Sequence, residues 1–132
     1  MSREITFGRI RGQIEYTSQP QTIDGYDLEF ITFKFIGLSG QIIDGARIKL
    51  GKQTPPQLVV RGTFRELVKL GKVRIDVVSN NQTTSHYPNP YDNSPILVEE
   101  NSRMQITNLG TTPAEIIELS LPGFEKCILI NL

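Results

Sequence analysis

One cysteine, one histidine and no tryptophan occur in these 132 residues, and 14 basic side chains balance 14 acidic ones. Each scarcity removes a class of function. A single cysteine, Cys127, makes no intrachain disulfide and no multi-cysteine zinc site. Its neighbours Ile128, Leu129 and Ile130 predict a buried, inert thiol. A single histidine, His86, cannot supply the two- or three-histidine sets of most catalytic metal centres. Zero net charge leaves no basic excess, and affinity for nucleic acid rests mainly on neutralising phosphates, so no nucleic acid partner is expected. Neutrality also removes the self-repulsion that keeps copies of a chain apart, which favours assembly. Long hydrophobic runs are missing too. The chain opens MSREITFGRI, with charges among its first residues, so neither an export signal nor a membrane span is expected and synthesis is assigned to a cytoplasm.

Catalytic sets fare no better. Cys127 lies in an apolar strand and His86 in a polar loop, so they do not form a nucleophile and base pair. Glu99 and Glu100 are adjacent and would point to opposite faces of a strand, which is not the geometry of paired glycosidase carboxylates. Gly51-Lys52 and Gly71-Lys72 lack the upstream glycine of a phosphate-binding loop. Asp24 with Asp27, and Asp92 with Asn93, read as turn residues bonding to their own backbone rather than as calcium ligands. No catalytic residue, metal or cofactor is predicted, and the expectation is that the chain is not an enzyme.

What is present is strand after strand. A composition of 38% hydrophobic and 21% charged residues suits one globular domain over 1–132. Residues 5–16 alternate weakly around Gly8 and Gly12 and predict a frayed strand pair near a sheet edge; residues 1–22 could otherwise form an extended N-terminal arm. The run from Leu28 to Ile36 places Leu28 and Phe30 on one face and Ile31, Phe33 and Phe35 on the other, so both faces should find apolar cover. Gln41 to Leu50 predicts a strand interrupted at Asp44-Gly45, which could close a hairpin. Thr63 to Leu70 is ambiguous. Thr63 with Glu66 resembles a capping box and Gly71 a helix stop, so at most one short helix is expected there, with a strand as the alternative. Strands are further predicted at Gln57 to Arg61, Lys72 to Ser79, Ile96 to Val98, Arg103 to Thr107, Ala114 to Leu121 and Lys126 to Asn131, the last apolar on both faces and so central or covered by another subunit.

Asn80 to Ser94 is the longest polar stretch and is expected to be a binding or assembly loop. His86, Tyr87, Pro88, Pro90 and Tyr91 are its candidate interaction residues, because prolines stiffen the backbone between two rings that bury area at low entropic cost. The alternative is that both rings pin the loop to its own domain.

Pro95-Ile96-Leu97-Val98, a polar turn, Arg103-Met104-Gln105-Ile106-Thr107-Asn108, a small-residue turn, then Ala114-Glu115-Ile116-Ile117-Glu118-Leu119-Ser120-Leu121-Pro122-Gly123 resemble the closing strands of jelly-roll virion proteins of bacteriophages. The resemblance covers about the last third of the chain. It implies an all-β, single antiparallel β-sandwich of jelly-roll type and a structural role as a capsid penton, auxiliary or decoration protein in a virion. Its implied partners are other capsid subunits, with a homo-oligomer, trimer or pentamer, as the assembled state. Cupin-type enzymes share the jelly roll, but one histidine disfavours them. The alternative function is a carbohydrate- or receptor-binding β-sandwich in which Tyr16, Tyr26, Tyr87 and Tyr91 replace the usual tryptophan platform.

Overall fold

The computed structural model describes residues 2–7, 10–23, 25–121 and 128–132, and all thirteen strands within them pair antiparallel. They are β1 (Ser2–Phe7), β2 (Ile10–Tyr16), β3 (Gln21–Thr22), β4 (Leu28–Gly37), β5 (Ile42–Leu50), β6 (Gln57–Arg61), β7 (Thr63–Leu70), β8 (Val73–Ser79), β9 (Gln82–His86), β10 (Ile96–Val98), β11 (Arg103–Asn108), β12 (Ala114–Leu121) and β13 (Ile128–Asn131). One sheet runs β1-β2-β4-β5-β12-β7-β10 with β3 paired to the start of β4, and the second runs β13-β6-β11-β8-β9. The chain is therefore an all-β jelly-roll sandwich, as its strand and turn pattern predicts. Ser2–Phe7, Ile10–Tyr16 and Gln21–Thr22 join the larger sheet as β1, β2 and β3, with β1 and β2 forming the predicted strand pair near an edge.

Inward-facing residues of both sheets make the main core. Leu28, Ala46, Ile48, Leu50, Phe64, Val68, Ala114 and Ile116 from one sheet meet Val59, Val73, Ile75, Val77, Met104 and Ile106 from the other. The outward face of the larger sheet carries a second buried cluster of Ile14, Phe33, Phe35, Ile43, Leu67, Ile117 and Leu119. The two-sided apolar pattern of β4 is thus satisfied on both faces, because Leu28 joins the first cluster while Phe33 and Phe35 join the second.

Two local expectations are corrected and two open alternatives are decided or narrowed. Thr63 to Leu70 is strand β7 rather than a helix: β12 bonds it on one side and β10 on the other. Period-two burial of Phe64, Glu66 and Val68 outweighs the local capping signal, since a helix of this length is marginal without packing. Asp44-Gly45 is no turn, and β5 runs straight through it. Gly45 is needed there because a Cβ would lie 2.6 Å from the Phe33 ring and 2.8 Å from the Glu118 carbonyl oxygen. Residues 80–94 are not one loop. Asn80 and Asn81 take φ of 54° and 61°, the left-handed pair of a two-residue hairpin turn, and β9 returns along β8. Finally, β13 is an edge strand among the described residues, bonded to β6 alone, so it is not central, and of the two alternatives cover by another subunit is the one left. Cys127, read as a buried thiol, lies outside the described residues.

Candidate functional site

Shortened by β9, the polar stretch leaves residues 87–95 as the connection to β10. Asn89 organises its tip. Its side-chain oxygen accepts from the Tyr91 backbone N–H at 2.9 Å, and its carbonyl accepts from the Asp92 N–H at 3.0 Å. Lys69 donates to the Asn93 side-chain oxygen at 3.3 Å and ties the loop to β7. The backbone is held by its own turn bonds, so the rings are not needed to pin it. They are indeed exposed, Tyr87 by 67% and Tyr91 by 94%.

Between this loop and the end of β7 lies a groove of about 860 Å³, lined by Lys69, Leu70, Gly71, Lys72, Val73, Tyr87, Pro88, Asn89, Pro90, Tyr91 and Leu109. Four of the five predicted interaction residues, Tyr87, Pro88, Pro90 and Tyr91, meet there. The fifth, His86, ends β9 opposite Ile75 and is half-buried outside the lining. Lys69, Lys72, Leu70 and Leu109 join from distant strands and turns. Burial lowers the Lys69 pKa below its ordinary value and Arg47 adds to this, while Glu115 opposes it.

A second concavity lies between the sheets. A cavity of about 310 Å³, partly open to solvent, is lined by Ile23, Leu28, Phe30, Ala46, Ile48, Ile106 and Leu129, with Thr32, Thr54, Gln57 and Glu118 as its polar groups. Thr54 is spoken for: its hydroxyl oxygen accepts from the Ile106 N–H at 3.0 Å, and its own N–H donates to the Ile106 carbonyl. Glu118 is different. It is 8% exposed and stands directly across from Glu66, which is fully buried and whose two carboxyl oxygens meet no hydrogen-bond donor. Glu118 is the group placed to share a proton with it. Burial first, then the facing Glu118 through its charge and the shared proton, holds the Glu66 pKa well above the usual carboxylate range.

Sequence reasoning missed this pair. Glu66 and Glu118 each sit at an inward parity inside an apolar run, which was the available signal. Their pairing depends on the register of two strands far apart in the chain, which no local pattern encodes.

No protein-family model matches the chain, and no curated protein matches it in sequence. Solved structures do match in shape. A vicilin from Capsicum annuum superimposes with a TM-score of 0.69 at 13% identity, over 87% of this chain and 33% of that one. An oxalate decarboxylase mutant from Bacillus subtilis gives 0.69 at 14%, over 87% and 30%. The coconut allergen cocosin gives 0.66 at 10%, over 85% and 30%. This chain spans about a third of their lengths. At these identities the likeness shows the jelly-roll architecture alone, and it lies with proteins other than the bacteriophage group that the closing strands resemble.

A metal site is a fair test of the likeness, since the Bacillus subtilis oxalate decarboxylase has Mn(II) centres. Among the described residues no three His, Cys, Asp or Glu side chains gather as a metal shell. The cavity offers one carboxyl from its wall and one behind it, and His86 lies on another strand of the opposite sheet. These donors do not fit a resident transition metal, which wants three or more protein ligands.

Proposed function

We propose that this chain is a structural subunit of a viral particle, of the bacteriophage penton, auxiliary or decoration kind, acting through subunit contacts at the Tyr87–Tyr91 face. The observation that carries the reading is the exposure of both tyrosines around a groove flanked by Leu70 and Leu109, which are 59% and 42% exposed. Rigid aromatic rings left in water by their own fold are the composition of an interface core awaiting its partner. The edges support it as well. Leu97 on β10 and Ile130 on β13 are exposed on terminal strands of the two sheets, where unpaired backbone is a liability that assembly removes. Among the described residues no helix is long and apolar enough to cross a membrane.

Light scattering of the purified chain over a range of concentrations tests the proposal. A trimer or pentamer that falls apart when Tyr87 and Tyr91 are both changed to alanine is the expected result. A strict monomer at every concentration would remove self-assembly from the reading.

A second reading is a carbohydrate- or receptor-binding module. It is favoured by the same groove, where two exposed rings stand beside Lys69, Lys72 and Asn89. Binding on a glycan array, lost in the Tyr87→Ala and Tyr91→Ala variants, is its signature.

A further inference from the structure

The antiparallel register arranges the inward face of the larger sheet in rows. Phe30, Ile48, Ile116 and Val68 stand side by side; Thr32, Ala46, Glu118 and Glu66 form the next row; Lys34, Asp44, Ser120 and Phe64 the one after. In the third row the charge is matched, because Lys34 donates to Asp44 in an ion pair. The second row has two carboxyls and no cation among its members. Placing such a pair beside apolar groups is costly, and the cost persists unless donors and opposite charge arrive. Apart from the proton that Glu118 is placed to share, the row offers Glu66 no donor and no opposite charge. What the protein does supply is space: the cavity that Glu118 lines is bounded mainly by aliphatic and aromatic carbon.

We propose that this cavity binds a small primary alkylamine, whose hydrocarbon body lies among Phe30, Ile48, Ile106 and Leu129 and whose ammonium group donates to the Glu118 carboxyl. An ammonium brings the missing charge and up to three donors on one compact head. A carboxylic acid is repelled by the same row, so ligands of the oxalate class are excluded. A bare divalent cation lacks ligands, since Glu118 is the one carboxyl on a wall that is otherwise carbon with the neutral Thr32, Thr54 and Gln57. An alcohol satisfies the hydrogen bond without the charge. Size sets the last limit, because about 310 Å³ is at the lower end of small-molecule sites and admits a short chain only.

The test titrates the full chain at neutral pH and constant ionic strength with n-hexylamine, n-hexanol and hexanoate, following heat by calorimetry and Ile and Leu methyl shifts by NMR. Hexylamine should bind one per chain, at least about tenfold tighter than hexanol, a ratio of the size that a buried charge pair contributes, while hexanoate shows no binding. Glu118→Gln should bring hexylamine down to the level of hexanol. Ala46→Leu fills the cavity while both carboxyls stay in the chain, and should abolish binding of both. Absence of hexylamine binding to the folded chain overturns the proposal. So does equal affinity for amine and alcohol, or unchanged hexylamine affinity in Glu118→Gln. Should Glu118→Gln not fold, the Ala46→Leu result decides: undiminished hexylamine binding there places the ligand elsewhere and overturns the assignment.

Discussion

Glu66 makes stability depend on pH in a direction opposite to that of an ordinary salt-bridged carboxylate. In the unfolded chain its carboxyl loses a proton near the ordinary value of 4.5, whereas in the folded chain burial and Glu118 keep that proton bound. The folded state therefore holds more protons than the unfolded state above that pH. Stability is full below 4.5, falls as pH rises, and levels off only once the folded carboxyl also ionises. For one proton the slope is about 1.4 kcal/mol per pH unit. Each pH unit inside that window is therefore a sizeable share of the roughly 5–15 kcal/mol that stabilises a domain of this kind. Asp76 works the other way. The Ser85 hydroxyl first, then Arg74, holds its pKa below 3.8 against a modest opposing effect of burial, so its contribution is lost only as pH falls through that lower range. It does not interfere above pH 4.5. The assay is urea unfolding followed by far-UV circular dichroism at about pH 5, 6 and 7, for the native chain and Glu66→Gln. The native midpoint should fall with pH at constant slope in urea, and the variant, which has no proton to lose at this position, should show a flattened profile. A native midpoint that is flat or rises from pH 5 to 7, or a variant that keeps the full fall, would refute the linkage.

Other perturbations follow from the packing. Gly45→Ala forces a methyl against the Phe33 ring and the Glu118 carbonyl, and should destabilise the fold by about 1–3 kcal/mol in urea. Ile116→Ala, in the centre of the main core, should cost about 2–5 kcal/mol by the same measurement. At the β8–β9 turn, Asn81→Gly should be neutral or slightly stabilising, whereas Asn81→Val should cost about 1–2 kcal/mol because a branched residue resists positive φ. Tyr87→Ala and Tyr91→Ala should leave the midpoint within about 0.5 kcal/mol of native, since neither ring is part of a core. A larger loss would return both rings to a structural role.

Much of the architecture was legible because it is written with period two. β4, β8, β10, β11 and β12 alternate or run apolar between turn residues, and each lies where that pattern places it. β9 was not legible, for a physical reason. Gln82-Thr83-Thr84-Ser85-His86 is polar throughout and lies at a sheet edge, so no buried face imprints an alternation on it. The groove tyrosines were visible as rings beside prolines, but Lys69, Leu70 and Leu109 come to them only through the fold.

By itself the sequence determined the class. Strand-length apolar runs between glycine and asparagine turns leave an all-β sandwich as the consistent outcome. Only the tertiary structure decided that Thr63 to Leu70 is a strand, because two neighbours satisfy its backbone where a short helix would stand alone. It alone set Glu66 against Glu118, since registration between distant strands is fixed by which faces the whole sheet must bury.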